Sequence, residues 1–194
     1  MYGRLDRMIM DSVAMAMFVF TGTLFLFFFS VYLPNYACST KVNSTLDIPK
    51  QIPFFHDNNI KVQQISAGLY HNAVLSSNGE IYTWGCGKFG QIGNGFTADA
   101  LEPVHINAQF GEDKFVTVKC GSFHTVALTS SGCVYCWGKN NRLQCLKALS
   151  DIILTPRSII HDIDIALHHH QKKSNTVVAD IFAGTFCMSF YLKV

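Results

Sequence analysis

Val62-Gln-Gln-Ile-Ser-Ala-Gly-Leu-Tyr-His-Asn-Ala-Val-Leu75 and Phe115-Val-Thr-Val-Lys-Cys-Gly-Ser-Phe-His-Thr-Val-Ala-Leu128 are two versions of one segment, set 53 residues apart. In each, an extended-looking run ends on a small residue and a Gly. Two positions then vary, and a His opens a second apolar run. The same spacing continues downstream, pairing Gly79 with Gly132, Tyr82 with Tyr135, Trp84-Gly85 with Trp137-Gly138, and Gln91 with Gln144. A third copy begins at Val178-Ala-Asp-Ile-Phe-Ala-Gly-Thr-Phe-Cys-Met-Ser-Phe190 and carries Gly184. Pro49, Pro103 and Pro156 each open a short apolar stretch at spacings of 54 and 53. Repetition of this period marks a fold whose unit cannot hide its apolar faces alone and must stack on its neighbours.

The local chemistry is that of strands. Alternation in Glu80-Ile-Tyr-Thr-Trp84 puts Tyr82 and Trp84 on one face, because strand side chains point to opposite faces in turn. Ser77-Asn78-Gly79 and Ser130-Ser131-Gly132 read as tight turns in which Gly takes a positive φ. Each unit is therefore a few short antiparallel strands. The sequence predicts an all-β fold, an incomplete β-propeller of two to three blades preceded by one N-terminal hydrophobic helix. The blades fall at about 48–100, 101–150 and, in part, 151–194.

These residues resemble the repeat family of the regulator of chromosome condensation, whose signature is a small residue, Gly, two variable positions, His and an apolar strand. Ala67-Gly68-Leu-Tyr-His71 and Cys120-Gly121-Ser-Phe-His124 carry it, and the first copy adds Gly79-Glu-Ile-Tyr-Thr-Trp-Gly85 and Gly90-Gln-Ile-Gly93. The likeness runs from about residue 48 to 194. On it, Gly68, His71, Gly79, Trp84, Gly85, Gly121, His124, Gly132, Trp137, Gly138 and Gly184 are structural motif residues. The two His hold blade backbone and the two Trp are core aromatics. Repeat two departs from the pattern at Arg142-Leu-Gln-Cys-Leu146, where the final glycines are replaced. Repeat three has Cys187 where His is expected, and it gains ten residues around Leu167-His-His-His-Gln-Lys-Lys-Ser174, read as an inserted surface loop. The family usually closes a seven-bladed ring, which fewer than three blades do not supply.

Residues 1–34 form a separate segment, and 35–47 a linker. From Ser12 to Leu33 there is no charge, and six Phe fall within the run. As a helix its 22 residues would span roughly 33 Å, against a hydrocarbon core of about 30 Å. A single-pass membrane helix over residues 12–33 is the expectation, with a cleaved signal peptide as the competing reading. Arg4 and Arg7 before it balance Lys41 and Lys50 after it, so orientation is not set. Asn43-Ser44-Thr45 matches a glycosylation acceptor. The cysteines Cys86, Cys120, Cys133, Cys136, Cys145 and Cys187 show no disulfide framework and read as mostly reduced and small-apolar in role, which favours cytosolic repeats.

Other motifs lose to the repeat. Gly85-Cys-Gly87-Lys-Phe-Gly90 fits a dinucleotide pattern, but no helix start and no acidic partner follow it. Cys133-Val-Tyr-Cys136 has zinc spacing, yet residues three apart on a strand diverge. His168-His169-His170 reads as part of the polar insertion. With 15 basic and 13 acidic residues, net +2, and no basic run beyond Lys172-Lys173, nucleic acid is not an expected partner. No catalytic, cofactor-binding or metal-ligating residue is named. The expected role is a non-catalytic protein-interaction or scaffold module, a fragment of a larger regulatory protein. The alternatives are guanine nucleotide exchange on a Ran-like small GTPase and a non-functional truncated product.

Overall fold

The computed structural model describes residues 17–20, 23–26, 50–106, 113–146, 150–159 and 177–193. The chain divides into two compact units, Met1–Ile60 and Lys61–Val194. In the first, β1 (Met17–Phe20), β2 (Thr23–Leu26) and β3 (Lys50–Gln51) form an antiparallel sheet in that order, followed by a short helix α1 (Pro53–Asp57). The apolar helix expected over residues 12–33 is therefore corrected where the chain is described. Met17 lies opposite Leu26 and Phe20 opposite Thr23 in a strand pair. The residue types explain it. Phe18, Val19, Phe20, Thr23 and Phe25 favour extended chain, and Gly22 between the runs costs a helix interior about 1 kcal/mol. No helix among the described residues is long and apolar enough to cross a membrane. The remainder of 1–34, the linker 35–47 with Asn43, and the insertion with His168–His170 lie outside the described residues.

The second unit holds the repeats. Strands β4 (Val62–Ala67), β5 (His71–Ser76), β6 (Ile81–Gly85) and β7 (Ala100–His105) make a four-stranded antiparallel meander. Strands β8 (Phe115–Cys120), β9 (His124–Thr129), β10 (Val134–Lys139) and β11 (Ile152–Ser158) repeat it. A third, two-stranded piece follows as β12 (Val177–Ala183) and β13 (Met188–Lys193). β8 packs on β4 and β5, and β12 packs on β8 and β9, so the sheets stack face to face in chain order.

Stacking explains why the middle strands are apolar on both sides. One face of the second blade, with Phe115, Val118, Ala127 and Trp137, closes on Ala73, Leu75 and Ile81 of the first. Its other face, with Val126, Leu128, Val134 and Cys136, closes on Val178 and Ile181 of the third. β9 alternates between two cores and is buried along its whole length, and β6 is buried at Ile81, Tyr82, Thr83 and Trp84. β13 has one covered side, so Met188, Phe190 and Leu192 are half-buried while Ser189, Tyr191 and Lys193 are exposed.

The loops after β6 and β10 have one shape built from different residues. Gly90 N–H donates to the Gly87 carbonyl at 2.7 Å, as Leu143 N–H does to Asn140 at 2.9 Å. Gly93 N–H donates to the Gly90 carbonyl at 3.0 Å, as Leu146 N–H does to Leu143. Gln91 Oε1 accepts from Phe89 N–H at 2.8 Å, and Gln144 Oε1 accepts from Arg142 N–H at 2.9 Å. Leu143 and Leu146 accordingly sit at φ 59°, where Gly90 and Gly93 sit at 74° and 85°. A second difference is an exception to the expectation that the cysteines are mostly reduced, because Cys136 and Cys145 are joined by a disulfide. The loop folds back over β10 and brings position 145 onto position 136. The equivalent pair in the first blade is Thr83 and Ile92, where the Thr83 hydroxyl donates to the Ile92 carbonyl at 2.6 Å. Among the described residues Cys86, Cys120, Cys133 and Cys187 are not disulfide-bonded.

A left-handed Leu costs roughly 1–2 kcal/mol over Gly, partly offset by the greater entropy Gly loses on folding. Leu143 is exposed, so nothing is lost by its removal, whereas Leu146 packs against the second core. Leu143→Gly is expected to raise the melting temperature by about 2–4 °C, roughly 1 kcal/mol, and Leu146→Gly to give no gain. A lower melting temperature for Leu143→Gly would contradict the strain.

Candidate interaction face

The two Gly-x-x-His turns touch their successors directly. A methyl group at Gly68 would fall on the His71 ring, 2.5 Å from Nδ1, and on the carbonyl oxygen of Gly121. At Gly121 it would fall on the His124 ring and lie 2.6 Å from the Gly184 carbonyl oxygen. Each glycine is thus clamped between its own imidazole and the next blade's glycine. Between the first two turns a backbone bond adds to this, Leu69 N–H donating to the Ser122 carbonyl at 3.2 Å. Gly184 itself lies against Cys187, which stands where the third imidazole would be.

A buried polar chain ties blade one to blade two. The Thr125 hydroxyl donates to the Gln91 carbonyl at 3.0 Å, and the Trp137 indole N–H donates to the same oxygen at 3.0 Å. Thr125 has spent its one proton, so His71 Nε2, 2.9 Å from Thr125 Oγ1, must carry a hydrogen and donate it. In the neutral imidazole the lone pair is then on Nδ1. Gln64 Oε1 and Ser66 Oγ accept from the N–H groups of Val118 and Cys120 at 2.9 and 2.8 Å, so β4 side chains bind the next blade's backbone. Trp137 is fully buried and Trp84 nearly so, on β10 and β6 opposite Thr125 and Asn72. Gly79 and Gly132 hold φ 82° and 86° at the hairpins, and Gly85 and Gly138 hold 110° and 108° where the strands end. The dinucleotide-like glycines Gly85–Gly90 lead into turns rather than a helix.

His71 lies opposite Gly85 and His124 opposite Gly138, so the turns before β5 and β9 share one end of the blades with the loops after β6 and β10. The position before each His or Cys is aromatic in all three copies: Tyr70, Phe123 and Phe186. Tyr70 and Phe123 have ring centroids 5.9 Å apart, and Phe89 meets Phe123 edge-on at 5.2 Å. Lys139 Nζ stands 4.5 Å over the Phe89 ring and 5.2 Å over Phe123, Lys88 Nζ is 5.9 Å from Phe89, and the Arg142 guanidinium is 4.9 Å from Phe186. Cation–π contact places these charges without neutralising them. Asp99 and Asp151 belong to the same loops, and Asp99 accepts from the Gly87 N–H at 2.9 Å. Among the described residues no group of three His, Cys, Asp or Glu could hold a metal ion.

Sequence reasoning named the clamped glycines and histidines but missed Thr125, Lys139 and Arg142. The available signals were the recurrence of Gln91 as Gln144 and the aromatic before each His or Cys.

Residues 62–144 match models of one repeat family. The model described as the regulator of chromosome condensation (RCC1) repeat matches residues 78–128, and a second model of that description matches 62–91 and 115–144. The X-linked retinitis pigmentosa GTPase regulator homolog of Caenorhabditis elegans is 38% identical over 96 residues, 50% of this chain and 7% of that protein. The ultraviolet-B receptor UVR8 of Arabidopsis thaliana is 42% identical over 84 residues, 43% of this chain and 19% of the receptor. Human WBSCR16 superposes with a TM-score of 0.65 at 24% identity, covering 89% of this chain and 40% of that one. Prp20p of Saccharomyces cerevisiae gives 0.57 at 21%, covering 74% and 33%. The chain thus spans less than half the length of each of these proteins.

Burial pushes the His71 pKa down from 6.5 to about 3, helped by the nearby His124 charge, and burial pushes His124 down to about 4. The folded chain therefore stays unprotonated at these rings while the unfolded chain takes up protons below about pH 6.5. Their contribution to stability is complete above that pH and is lost as pH falls towards 4 and 3, by up to about 1.4 kcal/mol per pH unit for each ring. Urea unfolding at pH 7.5 and 5 is expected to show this loss, and His124→Gln to remove about half of it. An unchanged slope in the variant would show that the ring is not held neutral.

Proposed function

We propose that this regulator-of-chromosome-condensation repeat protein, whose blades form part of a propeller, is a non-catalytic scaffold that docks an acidic segment of a partner protein on the end carrying Tyr70, Phe89, Phe123 and Phe186. The observation that carries this reading is the interleaving of Lys88, Lys139 and Arg142 with those rings across three successive repeats. Aromatic and Arg side chains are the types enriched at protein interfaces. Lys139 is shared between Phe89 of one repeat and Phe123 of the next, so the surface forms only where blades have stacked. Carboxylates would meet three cations there, and the exposed Phe96 and Leu143 add apolar contact area. The relatives support a regulatory setting, one being named as a GTPase regulator homolog and one as an ultraviolet-B receptor.

A second reading is action on a small GTPase, and the name of the nematode relative favours it. Prp20p is described by its binding to Gsp1p and histones. Release of labelled GDP from a Ran-like GTPase, accelerated by the full chain, would establish that activity. No acceleration would leave the scaffold reading alone.

A fluorescein-labelled oligoglutamate peptide tests the scaffold reading by anisotropy against the full chain, with an oligoglutamine peptide as control. Binding of the acidic probe only, weakened roughly tenfold by Lys88→Glu with Arg142→Glu, is the expected result, equivalent to about 1.4 kcal/mol. Both side chains are exposed, so the variant is expected to keep its fold. Equal binding of the two peptides, or an unaffected variant, would overturn the acidic-partner assignment.

A further inference from the structure

We propose that Cys136 and Cys145 are a reversible thiol–disulfide site that clasps the loop of residues 140–146 to β10, and that a dithiol reductant opens it. The two blades supply the argument by internal comparison. In blade one the same loop is held by glycines at positions 90 and 93 and by the hydrogen bond from Thr83 Oγ1 to the Ile92 carbonyl. Blade two has lost both glycines and that hydroxyl. Its loop holds Leu143 and Leu146 in the left-handed region, and at the Thr83 and Ile92 positions it has the Cys136–Cys145 bond. The covalent link thus stands where a weaker contact suffices for an unstrained loop.

Noncovalent contacts also hold the loop, from Leu143 N–H to the Asn140 carbonyl, Leu146 N–H to the Leu143 carbonyl and Arg142 N–H to Gln144 Oε1. At the bridged positions, Cys145 N–H donates to Asn140 Oδ1 at 2.8 Å, and Cys136 has no hydroxyl to make the 2.6 Å bond that Thr83 makes. Asn141, Arg142 and Leu143 are exposed at the tip. Both sulfurs are buried, so exchange proceeds through local opening of this strained tip. The chemistry balances with one reductant. The Sγ–Sγ bond of the pair breaks, two S–H groups form, and the dithiol that supplies two electrons and two protons closes to its own disulfide. Of the other described cysteines, Cys86 and Cys120 are buried, and burial pushes the Cys120 thiol up to about 12. Release of the loop frees Arg142 from Phe186 and so alters the end of the blades that carries the cations.

The test is amide hydrogen exchange on the full chain, oxidised in a glutathione redox buffer and then reduced with dithiothreitol. Residues 141–146 are expected to exchange at least about tenfold faster after reduction, and trypsin to cut after Arg142 sooner, while residues 87–93 of blade one stay unchanged. Cys136→Thr with Cys145→Ile copies the blade-one pair and is expected to give one exchange rate with or without dithiothreitol. Equal exchange of 141–146 in both states of the natural chain would overturn the proposal. So would alkylation of both thiols after the glutathione treatment.

Discussion

A glycine with no side chain, pressed between its own histidine and the carbonyl of the following glycine, is the contact on which the stacked blades depend. Gly68 meets His71 and Gly121, and Gly121 meets His124 and Gly184. Only a hydrogen at Cα leaves room for an imidazole on one side and a neighbouring backbone on the other. Because the sheets come this close, the Gln91 carbonyl reaches both Thr125 and Trp137, and β4 side chains reach the β8 backbone. The two apolar cores then fill the space between sheets. The polar chain fixes which face meets which, because its bonds run between the first blade and the second.

The same closeness produces the surface. Loops that precede and follow the central strands emerge at one end, and the aromatic before each His or Cys is carried there by the turn. A Lys at the end of β10 then spans rings from two repeats. Neither blade possesses this juxtaposition alone.

Much of the fold was legible in the sequence because a period of about 53 residues, with Gly-x-x-His inside it, leaves few other arrangements. Trp84 and Trp137 could be placed on strands by alternation. The N-terminal run misled because charge-free length suggests a helix, while Phe, Val and Thr around Gly22 favour paired strands. The loss of glycines at Leu143 and Leu146 looked like decay of the repeat. Backbone angles show that the loop kept its shape, at the cost of strain that composition does not reveal. Cys145 gave no hint of its partner, since the pairing depends on a loop folding back over β10. Lys139 and Arg142 were invisible for a related reason. Phe89 and Phe186, the rings under Lys139 and Arg142, belong to other repeats, and a sequence read one copy at a time does not join them.

Chemical denaturation of Gly121→Ala beside Gly95→Ala tests the clamp most directly. Gly95 has a positive φ of 90° but open space, its nearest neighbour being Thr155 Cγ2 at 3.9 Å, so its variant is expected to lose only about 1 kcal/mol from backbone strain. Gly121 has no such backbone strain, yet its methyl would strike His124 and the Gly184 backbone. A loss of at least about 2 kcal/mol, or failure to fold, is the predicted result for Gly121→Ala. A Gly121→Ala chain as stable as Gly95→Ala would contradict the account.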